Sequence, residues 1–396
     1  MRDKVLYLSA FSPFSTIGGG NQRCTNLLGV LCKRYDVDVV VDFDDVQYIA
    51  PQYLDHARLL RIKDRPVSKA TRLWRKIKVN TGLSPCEKLL MPSCLGRLKA
   101  MHELLRTTNY KYVVVRYLFM IPYYRLYHVK NLIIDIDDLP AEKAKTTLLF
   151  NKKALSRWDK IRLSHLDHLT QKLTRQALLT FSPNPKDTDL IPNCHYLPNV
   201  PIPDQREIRR HPSHRIIFIG SMSQDMNYTG VDHFITSIWP NLLSRHKTLE
   251  FHIIGKGTPS SYIKKWNKVP GVVLRGFVDD VFEEYMQASL AIAPIYTGAG
   301  TNIKVLEALM YQVPCVVTRF AYRGFESALR PGKDIVVTDS DVDFETAINR
   351  LLSDNKMATE ISLNGQQAVN REFGMEKLSS CFYSAVDELE NAHKSQ

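Results

Sequence analysis

Several patterns that would assign this chain to a common class of protein are missing from its sequence. No CxxC pair, no H-x-x-x-H spacing and no G-x-S-x-G turn occurs. Neither a zinc site, a thiol-redox motif nor a serine-hydrolase elbow is therefore indicated. The spacing G-x-G-x-x-G is also absent, which argues against a dinucleotide fingerprint. The seven cysteines are scattered and odd in number, so no disulfide framework is predicted.

Long apolar runs are missing as well. No run of 18 apolar residues occurs, so we expect no transmembrane helix. The first apolar run, residues 4–10, is short and is soon followed by Pro13, unlike a signal peptide. These absences lead us to expect a cytoplasmic protein with reduced thiols.

Positive charge is abundant and unevenly placed. The net charge is +12, and residues 1–200 hold 32 Lys and Arg against 18 Asp and Glu. Residues 201–396 hold 21 against 23. The densest segment, Arg58–Lys78, contains Trp74 among its cations. This segment is suited to bind an anionic membrane surface or a diphosphate-linked acceptor. In the first case we expect peripheral association with the inner face of the plasma membrane. A solvated loop is the alternative, and without a nucleic-acid-binding motif we expect no nucleic-acid partner.

Short apolar runs alternate with helical patterns in both halves of the chain. This alternation is typical of parallel sheets whose faces are covered by helices. Single helices are predicted over about 152–177 and about 228–243, and the proline-dense stretch 197–203 marks an inter-domain crossing. The prediction is an α/β fold with these parts: an N-terminal Rossmann-like domain over 1–197, a Pro-rich linker over 198–212, a C-terminal Rossmann-like domain over 213–374, and a C-terminal helix over 375–396.

The segment 290–318 is the most informative part of the sequence. An apolar strand runs into the turn Gly298-Ala299-Gly300, and a helix opens at about Thr301. A helix N-terminus behind a glycine turn offers unpaired N–H groups and a positive dipole end, which together bind anions. Lys304 and Glu307, three residues apart, share one helix face. The lysine adds positive charge for a phosphate, and the carboxylate can accept two hydrogen bonds from a diol such as ribose.

This segment resembles the donor-nucleotide site of retaining GT-B glycosyltransferases, the "group 1" class (family 4), many of which read G-x-G-[ST]-x-[IL]-K-x-x-E-A. The resemblance implies two Rossmann-like doubly wound domains facing each other across a cleft. It also implies that Lys304 and the turn amides hold the diphosphate and that Glu307 holds the ribose. Ala299 stands where many relatives have a glutamate, which leaves the contact to the donor sugar open. The donor-binding residues implied in this segment are Gly298, Gly300, Thr301, Asn302, Ile303 and Glu307.

Three further loops at predicted strand ends resemble the family's ligand loops, reading "GG…R", "hGs…pN" and Gly-Lys-Gly. The resemblance adds as donor-binding residues Gly19, Gly20, Arg23, Gly220, Ser221, Asn227, Gly255 and Lys256. Ordinary flexible turns are the alternative reading of these loops. Many relatives carry a basic pair near the second loop for the diphosphate. None occurs between Gly220 and Phe234, so more of that role falls on Lys304.

Two catalytic candidates lie at strand ends in the first half. Asp138 ends the run Asp135-Ile136-Asp137-Asp138, where relatives often read D-x-H-D. Its predicted role is to position the acceptor or to relay a proton. Helix capping is the alternative role. Arg116 is predicted to meet the acceptor or a phosphate, with a structural ion pair as the equal alternative. The D-x-D spelling resembles a metal motif, but it recurs elsewhere in the chain. In the family the helix dipole and the lysine take the place of a metal, so no metal and no cofactor is expected.

The resemblance as a whole implies a metal-independent transfer of a sugar, with retention, from a nucleotide-diphosphate donor to an acceptor hydroxyl. The expected partners are a nucleotide sugar and a glycan or lipid-linked acceptor, in bacterial surface polysaccharide or glycolipid assembly. One alternative is a degenerate GT-B fold that serves as a membrane-peripheral or scaffold protein without transfer activity. Another is a sugar-nucleotide epimerase, which would need further acid and base residues beside the donor.

Overall fold

The structure, a computed structural model, describes residues 2–15, 18–41, 55–60, 62, 95–152, 154–298 and 300–394. Most of the basic segment Arg58–Lys78 and the whole of Ala299 lie outside these residues. The chain forms two compact units. The N-terminal unit comprises Met1–Pro198 and Leu378–Gln396, and the C-terminal unit comprises Asn199–Lys377.

The N-terminal unit is built on a seven-stranded parallel sheet in the order β3-β2-β1-β4-β5-β6-β7. Its strands are β1 (Lys4–Ser9), β2 (Asp36–Val41), β3 (Ala57–Leu59), β4 (Tyr112–Arg116), β5 (Leu132–Asp135), β6 (Leu179–Ser182) and β7 (Cys194–Tyr196). Every residue of β4 and β5 is buried, as expected of central strands covered on both faces. The sequence reading missed β3 and β7, whose three residues each are too short to show a pattern.

Within the described residues, five helices of this unit precede the C-terminal unit along the chain. They are α1 (Gly19–Arg34), α2 (Leu95–Thr107), α3 (Met120–Tyr124), α4 (Pro140–Lys152) and α5 (Arg157–Thr174), with 3₁₀ turns at Leu126–His128 and Pro185–Thr188. The single helix predicted over about 152–177 was therefore wrong at its start. Ser156 begins α5 with a capping box: its hydroxyl accepts from the Asp159 N–H, and the Asp159 carboxylate accepts from the Ser156 N–H.

The C-terminal unit has a six-stranded parallel sheet in the order β10-β9-β8-β11-β12-β13. The strands are β8 (Arg215–Ile219), β9 (Glu250–Ile254), β10 (Val272–Gly276), β11 (Leu290–Ala293), β12 (Cys315–Thr318) and β13 (Val336–Thr338). The predicted α/β class with two doubly wound parallel sheets is confirmed. In both sheets the connections lead outward in opposite directions from two central neighbours, β1 and β4 in the first sheet and β8 and β11 in the second.

In the described part of the C-terminal half, seven helices pack with the second sheet, and one more belongs mainly to the N-terminal unit. They are α6 (Asp225–Ser237), α7 (Trp239–Arg245), α8 (Ser260–Trp266), α9 (Val281–Gln287), α10 (Ile303–Met310), α11 (Asp341–Ser353), α12 (Asn355–Glu372) and α13 (Met375–Lys394). Pro240 starts α7, so the single helix predicted over about 228–243 is two helices. From Leu378 onward α13 belongs to the N-terminal unit, where Asp387 pairs with Arg34 of α1 at 2.5 Å. No helix in the described ranges is long and apolar enough to cross a bilayer.

Close contact between α6 and the end of β11 depends on a glycine. A Cβ atom on Gly230, in the middle of α6, would lie 2.0 Å from the Pro294 carbonyl oxygen. Glycine costs about 1 kcal/mol relative to alanine inside a helix. Helix propensity and packing therefore oppose each other at this position, and only packing explains the glycine.

We predict that Gly230→Ala lowers the free energy of unfolding by about 2 kcal/mol or more, because overpacking outweighs the gain in helix propensity. Denaturant titration of the full chain, followed by far-ultraviolet circular dichroism, measures the change. Gly96→Ala in α2 is the matched control, since a Cβ there meets nothing within 4 Å. The control should be neutral or slightly stabilising, and an equally neutral Gly230→Ala would contradict the packing argument.

Candidate functional site

The predicted ligand loops of the C-terminal unit meet at one edge of its sheet. β8 and β11 are neighbours whose connections leave in opposite directions, and Gly220 and Gly298 follow their carboxyl ends. In open parallel sheets, ligands bind at such a switch point because no connection covers the strand ends. The sheet order thus brings together segments that are about 80 residues apart in sequence.

Lys304 is the centre of this site. It lies in the first turn of α10, and its ammonium Nζ donates to Asn227 Oδ1 at 2.8 Å. The Asn227 amide in turn donates to the Ser221 carbonyl oxygen at 2.8 Å. The Lys304 ammonium also lies 5.0 Å from the centre of the Phe218 ring, within cation–π range. Three of the predicted residues, Lys304, Asn227 and Ser221, therefore form one connected group.

Backbone crowding explains why two of the predicted positions are glycines. A Cβ on Gly220 would lie 3.2 Å from both Lys304 Cε and Asn227 Nδ2. A Cβ on Gly255, whose φ is +142°, would lie 1.8 Å from the Gly220 carbonyl oxygen. The adjoining Lys256 accepts the Met222 N–H with its carbonyl at 2.9 Å and leaves its side chain exposed. Larger residues at 220 or 255 would push the loops apart and displace Lys304.

The ammonium of Lys304 is partly removed from water. Burial lowers the pKa of Lys304 to about 8, although the Glu307 carboxylate one turn along α10 partly offsets the effect. At neutral pH the group is still mostly protonated. A cation that has lost part of its water attracts an anion strongly.

The start of α10 is arranged to leave its N–H groups to a ligand. Asn302 occupies the N-cap position, but its side chain makes no capping bond and donates instead to the Ala321 carbonyl at 3.1 Å. Ile303 is the first helical residue. Thr301 is fixed from the other side, since its hydroxyl accepts from the Asn199 amide at 2.6 Å. An uncapped helix N-terminus next to Lys304 is suited to a phosphate group.

Sequence reasoning missed two residues that support this site. Tyr285, fully buried in α9, donates its hydroxyl to Glu307 Oε2 at 3.3 Å and so orients the carboxylate. Burial, and then the charge of Glu307, raises the pKa of this tyrosine well above its ordinary value. Arg323, in the loop after β12, donates to the Gly298 carbonyl at 3.1 Å and steadies the turn that continues to Gly300. Only the sheet order, which places β12 beside β11, could have revealed Arg323.

In the N-terminal unit, the two predicted arginines are buried in an ion-pair network. Arg116 is fully buried, and its guanidinium lies 3.2 Å from the Asp135 carboxylate and 3.1 Å from that of Asp137. Arg23 reaches Asp135 at 2.5 Å and donates to the carbonyls of residues 197 and 198. Both side chains hold strand-end loops together, which matches the structural alternative for Arg116. Their predicted contacts with acceptor or donor stay predictions.

The carboxylates after β5 are more accessible than these arginines. The side chains of Asp137 and Asp138 are each one-quarter exposed, and Asp138 pairs with Lys143 at 2.9 Å. Burial, and then the charge of Asp137, raises the pKa of Asp138. Burial acts on Asp137 in the same sense, but the guanidiniums of Arg116 and Arg23 outweigh it and lower that pKa. Neighbouring carboxyls whose pKa values are pushed apart are typical of acid–base sites.

Gly19 and Gly20 form the first turn of α1, beside the same strand ends. A Cβ on Gly20 would lie 3.2 Å from the Tyr117 hydroxyl, which itself donates to Asp137 Oδ2 at 3.3 Å. Tyr117 has a φ of +79°, a conformation that costs energy in a bulky residue. Within the described part of the chain, no group of three metal-ligating side chains occurs.

Comparison with known proteins agrees with this architecture. Residues 213–354 match the model of the family described as "Glycosyl transferases group 1". No curated protein matches the sequence. The matched region lies within the C-terminal unit and includes the Lys304 site.

Solved structures share the fold over nearly the whole chain. Sucrose-phosphate synthase from Thermosynechococcus elongatus is 13% identical over 99% of this chain and 100% of its own, with a TM-score of 0.71. HepE from Anabaena, solved with UDP-glucose, is 11% identical over 100% of both chains, with a TM-score of 0.63. WaaG, a glycosyltransferase involved in lipopolysaccharide biosynthesis, is 14% identical over 98% and 99%, with a TM-score of 0.63. At these identities the likeness shows the fold alone, which is of the GT-B type.

We predict that Lys304→Met stabilises the protein by about 2 kcal/mol at pH 7. The lowered pKa means that burial destabilises the charged lysine, by about 1.4 kcal/mol for each pKa unit. Methionine avoids this cost, but the loss of the hydrogen bond to Asn227 removes part of the gain in stability. The folded-state pKa of about 8 lies below the usual value of 10.5, so the unfolded state binds more protons between these pH values. The stability of the unmodified protein should therefore rise over this window, and the advantage of the variant should shrink.

Denaturant titrations of both proteins at pH 7 and pH 10 measure this difference. Lys268→Met, at an exposed position on the same unit, is the matched control and should leave stability nearly unchanged at both pH values. A variant no more stable than the parent at pH 7 would show that the Lys304 ammonium is not penalised by burial.

Proposed function

We propose that the chain is a retaining glycosyltransferase, which moves a sugar from a nucleoside-diphosphate donor to an acceptor hydroxyl. The observation that carries the proposal is the group formed by Lys304, Asn227 and the uncapped start of α10 at the switch point of the second sheet. The match of residues 213–354 to a glycosyl transferase family supports the same reaction class.

The diphosphate of the donor is the group that this site is suited to bind. The Lys304 ammonium and the first N–H groups of α10 converge on one region beside Gly220, where a side chain would obstruct a ligand. As the bond to the sugar breaks, negative charge develops on the leaving diphosphate. Donors already aimed at that charge stabilise the transition state, and the loss of one often costs about 100-fold in rate or more. Lys304 and the helix dipole supply the positive charge that a metal ion supplies elsewhere.

The remaining donor contacts follow from the same arrangement. Glu307, oriented by Tyr285, accepts hydrogen bonds from the ribose hydroxyls one helical turn from Lys304. The departing phosphate oxygen takes the proton of the acceptor hydroxyl, so the chain need not supply a side-chain nucleophile. HepE was solved with UDP-glucose, and this makes UDP and UDP-glucose the first ligands to test.

For the acceptor we propose a glycan or a lipid-linked sugar. The accessible carboxylates of Asp137 and Asp138 lie at the strand ends of the N-terminal unit, where they can accept hydrogen bonds from sugar hydroxyls. WaaG is described as acting in lipopolysaccharide biosynthesis, and this supports a role in the assembly of bacterial surface glycans.

The donor proposal predicts that one nucleoside diphosphate raises the melting temperature of the full chain without added metal. The panel is UDP, GDP, ADP, CDP and dTDP, and at 100 times the dissociation constant the stabilisation is about 2.7 kcal/mol. Lys304→Ala and Glu307→Gln should each lose most of the shift, because one removes the charge at the diphosphate and the other weakens the ribose contact. Lys247→Ala, an exposed lysine on the same unit, should keep it.

Binding by no member of the panel would contradict the donor site. A degenerate GT-B fold that acts as a scaffold would then explain the chain better. A shift that persists in both site variants would place the nucleotide elsewhere on the protein.

Transfer itself is tested with the sugar nucleotide of whichever base binds. We predict that Lys304→Ala lowers the rate of diphosphate release by at least about 100-fold while the protein stays folded. Proton NMR of the product should show the same anomeric configuration as the donor. An inverted product would contradict retention, and a variant with the parent's turnover would remove Lys304 from the mechanism.

A further inference from the structure

Four large apolar side chains are exposed at one place on the N-terminal unit. Trp158 is 81% exposed, Ile161 60%, Phe150 42% and Leu149 39%. They lie in the last turn of α4 and the first two turns of α5, so they surround the tip of a helical hairpin. We call this patch the hairpin tip. Single exposed apolar residues are ordinary, but four at one point mark an interaction surface.

The exposure of Trp158 and Ile161 follows from how α5 is rotated about its axis. Its buried face carries Asp159, Leu163, Leu166 and Leu173, spaced by three, four and seven residues. Trp158 and Ile161, three residues apart, point about 100° and 160° away from this buried face. The capping box between the Ser156 and Asp159 side chains fixes the start of the helix and hence this orientation.

Positive charge surrounds the apolar residues. Arg157, Lys160 and Arg162 are exposed within the same two turns of α5. The acid in these turns, Asp159, is buried against the unit and forms part of the cap. Asp167, eight residues further along, is the next acid on the helix. The outward surface of the hairpin tip therefore combines cations with aromatic and aliphatic groups.

This combination distinguishes a lipid surface from a protein partner. The buried centre of a protein interface is depleted in charged residues. A helix that lies on a bilayer instead alternates Lys and Arg with Trp, Phe and Leu, because the cations reach phosphate headgroups while the rings enter the acyl boundary. Tryptophan also favours this boundary, since it has an apolar body and a polar N–H.

We propose that the hairpin tip docks the protein on the surface of an anionic lipid bilayer. Trp158, Ile161, Phe150 and Leu149 insert at the headgroup boundary, and Arg157, Lys160 and Arg162 contact the lipid phosphates. This inference does not depend on the proposed transfer reaction. It places the contact on described residues outside Arg58–Lys78, the segment that charge alone indicated.

The test is flotation of the full chain with vesicles of 70% phosphatidylcholine and 30% phosphatidylglycerol at 0.1 M salt. We expect binding that falls with rising salt and that is lost with pure phosphatidylcholine, since each cation near an anionic surface contributes about five-fold in affinity. The double variant Trp158→Ser/Ile161→Ser should bind at least about tenfold more weakly. The matched control, Val342→Ser/Leu363→Ser, removes two exposed apolar residues of the C-terminal unit and should bind like the parent.

Fluorescence provides a second readout of insertion. Trp239 and Trp266 are fully buried, so in a Trp74→Phe background a blue shift with vesicles that disappears in Trp158→Ser reports Trp158. Equal binding by the parent and the double variant, or no binding by the parent, would overturn the proposal. Light scattering that shows a dimer of the parent and a monomer of the double variant would also overturn it, because a second copy of the chain would then cover the patch.

Discussion

The C-terminal unit is organised around the placement of the Lys304 ammonium where it is partly removed from water. The pKa of Lys304 is lowered to about 8, and a Cβ atom at position 220 would lie 3.2 Å from Lys304 Cε. Asn227 offers an uncharged oxygen, and the Glu307 carboxylate is turned to the Tyr285 hydroxyl. The folded protein thus bears the cost of a poorly compensated cation, which a bound diphosphate would remove. Such strain is typical of ligand sites rather than of structural ion pairs.

Arg116 shows the opposite solution in the N-terminal unit. Its guanidinium is also removed from water, but two carboxylates, Asp135 and Asp137, lie within 3.2 Å of it. Burial by itself would lower the pKa of Arg116, yet the carboxylates outweigh burial and raise it well above the usual value. This cation is compensated without a ligand. The contrast separates Lys304, whose burial is little compensated, from Arg116, which two carboxylates hold, a distinction that spacing in the sequence could not make.

Much of the fold could be predicted because its signals are local. The alternation of apolar strands and helices identified both sheets. What depended on sheet order could not be predicted: the pairing of Arg23 with Asp135, 112 residues away, and the contact of Arg323 with Gly298. Gln312 shows how a strained position is accommodated. It adopts a φ of +57° and donates its amide to Gln366 at 2.9 Å.

The hairpin tip illustrates why apolar residues in a helical segment are not always core residues. Leu166 and Leu173 recur at the spacing of one buried face, and a list of apolar positions places Trp158 and Ile161 with them. The cap at Ser156 and the buried Asp159 rotate α5 so that Trp158, one residue before Asp159, points about 100° away from the buried face. The exposure of Trp158 is therefore a consequence of helix phase, fixed by a polar cap, and not of a loosely packed end. A surface held in this way is present before any partner arrives, so binding there need not pay the entropy of ordering a segment.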